Sequence, residues 1–365
     1  MPVRHLPPGP SLDHLKYQAK DLLKAHAGRE AQAAQRIREF HPRFLDETDE
    51  TIFAATFRLS DAQLTIAREA GYASWARLKA RVEKPTQADR WDLPHHERIL
   101  DARFRQAVDL LDGGDVAGLR ALLKLHPELV HQRVTFEGGN YFRNPSLLEF
   151  VAENPIRRRT LPVNIADVAG LILDAGAERR AIDETLGLVA TGCVTRECGV
   201  QISLIELLCA HGAEPDGAAT AAAGHGEFAA VEALIRHGAR VDLPIAAALG
   251  RMEDFGRLLR TADEKDQHLA MAFAAQFGRA GAVRLLLDAG VDVNRYNPAG
   301  AHSHSTPLHQ AALAGNGAVV RLLVERGARL DVKDVLWQGT PADWARHEGR
   351  TEIEAYLRGR EAKKE

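Results

Sequence analysis

Thr306-Pro307-Leu308-His309-Gln310-Ala311-Ala312, followed by Gly315, by Val319-Val320-Arg321-Leu322-Leu323 and by Gly327-Ala328, is the stretch whose reading decides the fold. Thr306 can accept a bond from an open amide at a helix start, and Pro307 at the first helical position has a preset φ and no N–H to leave unpaired. Leu308, Ala311 and Ala312 share one helical face, and the alanines let a neighbouring helix come close. Gly315 predicts a left-handed stop, after which the Val319/Leu322/Leu323 stripe predicts a second helix ending at Gly327. The unit is therefore helix, turn, helix and loop.

Working outward, Thr340-Pro341-Ala342-Asp343-Trp344-Ala345 repeats the opening 34 residues later and runs on to an Ile353 to Leu357 stripe. Backwards, the apolar stripe before a Gly-Ala or Gly-Val pair recurs at Val283 to Leu287, Val231 to Ile235, Leu204 to Leu208 and Val168 to Leu173. Phe255 to Leu259 and Leu119 to Leu123 keep the stripe without the glycine. Eight units result, each unable to bury its apolar face alone, so they must stack. Their lengths are irregular. Spacers at residues 130–145, 157–163, 191–198 and 294–305 read as insertions on one face, which in repeat proteins is often the binding face.

This pattern resembles the ankyrin-repeat family, most specifically over residues 267–358, where Thr306, Pro307, Leu308, His309, Ala311, Ala312 and Gly315 stand at the family's positions. The resemblance implies an all-α solenoid of stacked helix pairs, with a concave surface of first helices and loops used to bind proteins. It also implies that His309 bonds within its turn and to the adjoining repeat, and that Gln310, Leu313, Phe273, Gln276 and Phe277 face the groove, while a Phe pair at the spacing of Phe273 and Phe277 is more often core than groove.

Residues 1–83 read as a separate helical domain. Ser11 opens a helix carrying Leu12, Leu15, Ala19, Leu22 and Leu23, a second runs from about Glu30 to Phe40, Ser60-Asp61-Ala62-Gln63 opens a third, and Ser74-Trp75 a fourth. Four helices are expected, then a polar linker over 84–95, then the solenoid over 96–360. The run Leu59 to Leu64 with Ser74-Trp75 looks like front segments of bacterial ankyrin-repeat proteins.

Composition narrows the function classes. A formal charge of -3 leaves no electrostatic footprint for nucleic acid. No apolar run approaches a membrane span, and residues 1–11 lack the apolar core of a secretion signal, so a cytoplasmic monomer is expected. Three cysteines read as reduced thiols. No nucleophile elbow, Walker-type loop or H-E-x-x-H helix is present. The leading expectation is a non-catalytic module that binds a protein or peptide and needs no cofactor.

Candidate contact residues are Phe136, Tyr141, Phe142, Arg143 and Glu149 in the 131–160 insertion, Phe277, Gln310 and Leu313 on first helices, His302 and His304 in the 294–309 loop, and Trp337 and Trp344. Two aromatics and an Arg beside Gly138-Gly139 suit an interface anchor, or else a loop folded back with Phe136 and Phe142 as plugs. His302-Ser303-His304 with His309 suggests a metal, but no nearby Cys or carboxylate completes a ligand set. Cys193, Cys198, Cys209 and His211 are not at zinc-knuckle spacing. The alternative reading is an enzyme, or a metal or small-molecule site, built from the 131–160 insertion and the 294–309 loop.

Overall fold

The structure, a computed structural model, describes residues 11–45, 47–83, 93–136 and 141–362. Among these the regular elements are helices, and the one strand-like feature is an isolated antiparallel bridge between Arg133 and Ser146. The chain divides into two units, residues 1–105 with 134–144, and residues 106–133 with 145–365. The expected linker falls mostly on residues 84–92, which lie outside the described residues, as do 1–10 and 137–140.

In the first unit α1 (Leu12–Ala27), α2 (Ala31–Phe40), α3 (Asp49–Ala54), α4 (Leu59–Glu69) and α5 (Trp75–Glu83) pack round Leu15, Leu22, Ile37, Ile52, Ile66 and Leu78. The expected four helices are thus five. The extra one, α3, starts where the Thr48 hydroxyl accepts the Thr51 N–H, and it delivers Ile52 to the core. The helix α4 also starts earlier than the expected Ser60: Arg58 is its N-cap, and Asp61 closes the cap by accepting the Arg58 N–H. Arg36 pairs with the buried Glu69 at 2.5 Å, tying α2 to α4.

From α6 (Ala102–Asp112) onward the helices come in pairs. Second helices are α7 (Val116–Leu125), α8 (Ile165–Asp174), α11 (Gln201–Ala210), α13 (Phe228–Arg236), α15 (Met252–Leu258), α17 (Ala280–Asp288), α19 (Gly317–Glu325) and α21 (Thr351–Glu361). Their first partners are α6, a 3-10 turn Leu148–Ala152, α9 (Arg179–Ala190), α12 (Pro215–Gly224), α14 (Leu243–Leu249), α16 (Glu264–Gln276), α18 (Pro307–Ala314) and α20 (Pro341–His347); α10 (Cys193–Glu197) is an inserted turn. Eight helix pairs are therefore present among the described residues. First helices stack on one another without a break from α9 to α20.

The two rows use different side chains for one reason. First helices meet through alanine, as at Ala246, Ala247, Ala270, Ala274, Ala311 and Ala312, all 0% exposed, so their backbones lie close. Second helices contribute the larger Val283, Leu286, Val319 and Leu323 to the same core. The turn between the rows demands φ above zero, which Gly315 supplies at +82°.

The last carbonyls of each first helix have no partner within that helix. At four steps the next unit bonds a carbonyl at or just past the end of the first helix, whereas the end of α9 is served by Gln201 of its own pair. Asn164 donates to Gly114 O at 2.9 Å, Arg279 to Ala248 O at 2.9 Å, Asn316 to Ala275 O and Gln276 O at 3.0 and 2.8 Å, and Arg350 to Leu313 O at 3.3 Å. Each donor stands at the head of a second helix, so the unit-to-unit step is set by hydrogen bonds as well as by packing.

Candidate functional site

The insertions between units do not all behave alike. In the second unit, the parts of the 131–160 insertion at 131–133 and 145–160 are held by the chain's own side chains. Glu149, 6% exposed, accepts the Ser146 N–H and hydroxyl at 2.7 and 3.0 Å and pairs with Arg133, whose other nitrogen meets Glu184 at 2.8 Å. Burial pushes the Glu149 carboxyl above its ordinary value. Arg157 lies between Asp112 and Glu153 at 2.8 and 2.9 Å, all three side chains nearly sealed from water, while Glu153 also accepts the backbone N–H groups of Arg157, Arg158 and Arg159. These charges hold the loop in place.

Within the first unit, Phe136 and Phe142 are each 3% exposed and stack at 6.0 Å, with His95 edge-on to both and the Arg98 guanidinium over Phe136. They are plugs and do not present themselves as anchors. Tyr141 between them is 67% exposed, and Arg143, exposed, accepts the Phe136 N–H through its carbonyl at 2.7 Å. Gly138 and Gly139 lie outside the described residues.

The expected groove is largely covered. Gln310 is 2% exposed and donates to Ser305 Oγ at 2.9 Å, so it faces the inserted loop and not solvent. Phe273 is 1% exposed, Phe277 is half-buried between it and Phe228, and Leu313 is half-buried. A β-carbon on Gly224 would stand 3.1 Å from the Phe273 ring and 3.4 Å from Gly300 O. The 294–305 loop therefore folds back over the first helices as far as α12.

That loop is firmly tied. Asn297 N–H donates to Ser305 O at 2.8 Å, Ser305 N–H to His302 O at 3.0 Å, and Tyr296 Oη to Lys333 O at 2.6 Å. His309 closes the cap with Thr306 through Nδ1 and meets Gly339 O through Nε2 at 3.1 Å, the within-turn and next-repeat bonds expected of it. Burial holds its pKa below the ordinary 6.5.

The neighbouring loop, Asp334 to Gly339, is where apolar surface is left open. Asp334 is 0% exposed, and its two oxygens accept N–H bonds from Leu336, Trp337, Gly339 and the Trp344 indole at 2.9, 2.7, 2.7 and 3.0 Å. Burial alone would raise the Asp334 pKa, but these donors outweigh it and hold the carboxyl below its ordinary value. Val335 donates its N–H to His304 O at 2.8 Å, locking the two loops together. The result is a rigid turn whose tip, Val335, Leu336 and Trp337, is 58%, 61% and 69% exposed.

Around that tip the structure gathers four of the candidates. His304 lies edge-on to Trp337 at 5.2 Å and 5.7 Å from Trp344, and His302 stands 6.0 Å beyond His304. Trp344 is 8% exposed and serves as support. The pattern of types missed Val335, Leu336, the carboxylate behind them and His225 at the end of α12. The bracket of Asp334 and Gly339 round three apolar residues was the available signal. Among the described residues no three His, Cys, Asp or Glu side chains are grouped as a metal site requires, and Cys209 is half-buried with its thiol pKa raised by burial.

Residues 243–334 match the family model described as ankyrin repeats, three copies. That match starts at α14, before the Thr-Pro-Leu-His sentence becomes legible. The chain is 32% identical over 130 residues to the cyclin-dependent kinase 4 inhibitor B of Rattus norvegicus, spanning 34% of this chain and 95% of that protein. It is 35% identical over 120 residues to the Homo sapiens protein of the same name, over 32% of this chain and 84% of that one. To the Homo sapiens cyclin-dependent kinase inhibitor 2A it is 33% identical over 120 residues, 32% of this chain and 74% of that protein. With stacked helix pairs, the Thr306 to Gly315 motif in its structural role and relatives covered over about three quarters or more of their length, the chain belongs to the ankyrin-repeat family.

Proposed function

We propose that this chain is a non-catalytic binding module that holds a protein or peptide partner on the loops of its last units, with Trp337 as the central anchor. One observation carries the reading: Val335, Leu336 and Trp337 are exposed together on a turn that the buried Asp334 fixes through four N–H bonds. A large aromatic held rigid before binding loses little entropy on association, and such residues dominate interface energies. The relatives, named as inhibitors of a protein kinase, are proteins whose names describe action on another protein, which supports the same class of function.

The test is affinity capture from the native cytosol with the full chain, a Leu336→Ala/Trp337→Ala variant and a Val163→Ala control at a 98% exposed position elsewhere. Exposed substitutions of this kind shift stability by no more than about 0.5 kcal/mol, so folding should be unchanged. The loop variant should retain less than about a tenth of the partner held by the unchanged chain and the control, a loss of about 1.4 kcal/mol or more. Equal capture by all three would refute the reading.

A further inference from the structure

His225, His302 and His304 form a row of imidazoles that leads to Trp337. His302 and His304 have ring centroids 6.0 Å apart, and His304 and Trp337 are 5.2 Å apart. His225, exposed at the end of α12, is near enough to His302 for the two charges to oppose each other. Among the described residues the three rings have no hydrogen-bonding or ion-pairing protein group on their nitrogens. Histidines elsewhere in the same solenoid do: His211 meets Asp174 at 3.5 Å and His131 meets Glu178 at 3.7 Å.

The other groups facing the row are already engaged. Behind His304, His309 is bonded to Thr306 and Gly339, and Asp334 is saturated by N–H donors. On α20, Asp343 pairs with Arg346 and Arg358 and Trp344 donates to Asp334; on α16, Gln276 donates to Gly224 O. Among the described residues the surface thus offers imidazoles without a protein partner, then an apolar ridge, with Asp334 and Asp343 both engaged.

We propose that the partner presents an extended, acidic segment, with carboxylates on His302 and His304 and an apolar side chain against Trp337. The inference rests on the binding reading above and adds the partner's chemistry. In an extended chain alternate side chains lie about 6.6 Å apart on one face, close to the spacing of these rings. Burial first, and then the neighbouring imidazoles, hold the His302 pKa below its ordinary value, and a carboxylate set against that ring favours the protonated form, so binding takes up a proton there while the carboxylates themselves stay ionised down to about pH 4. Affinity should therefore rise as the pH is lowered from about 8 to about 6.

Two blocked pentapeptides test this on the full chain by calorimetry, Glu-Thr-Glu-Thr-Leu and its neutral twin Gln-Thr-Gln-Thr-Leu. Near pH 6 the acidic peptide should bind at least about tenfold more tightly, the preference shrinking to about twofold near pH 8. A His302→Gln/His304→Gln variant should lose the preference and keep the weaker, leucine-dependent binding. Equal binding of the twins, a preference that survives in that variant, or no binding of either peptide would overturn the proposal. Equal, Trp337-dependent binding would overturn the acidic assignment alone; the binding surface itself stands or falls on the capture experiment.

Discussion

Asp334 shows how one side chain can shape a surface it never reaches. Asn in its place would keep the size but turn an NH₂ group toward N–H donors, leaving at least one buried donor unpaired at a cost of about 1–3 kcal/mol. Asp334→Asn should lower stability by about that amount in urea unfolding, and the Trp337 fluorescence should show a looser loop. The pH dependence follows from the same residue. A carboxyl held below its ordinary value contributes stability that is whole above its unfolded pKa and is lost as pH falls through the folded value, so acid should loosen this turn. His309 acts earlier: its pKa is lowered by burial, so its contribution is complete above about 6.5 and declines as pH drops below that. His309→Gln should flatten the upper part of the stability profile, as followed by thermal unfolding between about pH 7 and 5. Asn316, which satisfies two carbonyls of the preceding unit, should cost about 1–3 kcal/mol when changed to Ala, where an ordinary exposed cap would cost less.

At the scale of elements, the helices divide their labour between close approach and apolar volume. Leu323→Ala, fully buried on α19, should cost about 2–5 kcal/mol, whereas Leu285→Ala on α17, 38% exposed, should cost under about 1 kcal/mol by the same urea measurement. This division was legible in advance because the Thr-Pro start, the alanine face and the left-handed Gly315 each express a local requirement of the helix pair. The short α3 was not, since six residues carry too little periodicity to register, though Thr48 with Asp49 and Glu50 is an ordinary helix start. Phe136 and Phe142 suited two readings equally, and only packing against His95 and Arg98 separates them. Gln310 was misplaced for a different reason: its exposure depends on a loop that begins in another unit, and no local pattern carries that contact.

From α9 to α20 the first helices form an unbroken row, and the insertion at 294–305 lies over part of it. On the proposal above, a partner meets loop before it meets helix. This inverts the expectation that first-helix positions such as Gln310 provide the contact, and moves the weight to Trp337, Leu336 and the histidines beside them. Hydrogen exchange of the array with and without captured partner reads this directly. Slowed exchange concentrated at residues 296–304 and 333–339, with α16 and α18 unaltered, is the outcome expected; slowing confined to α16 and α18 or to the outer helices, with both loops unaffected, would contradict it.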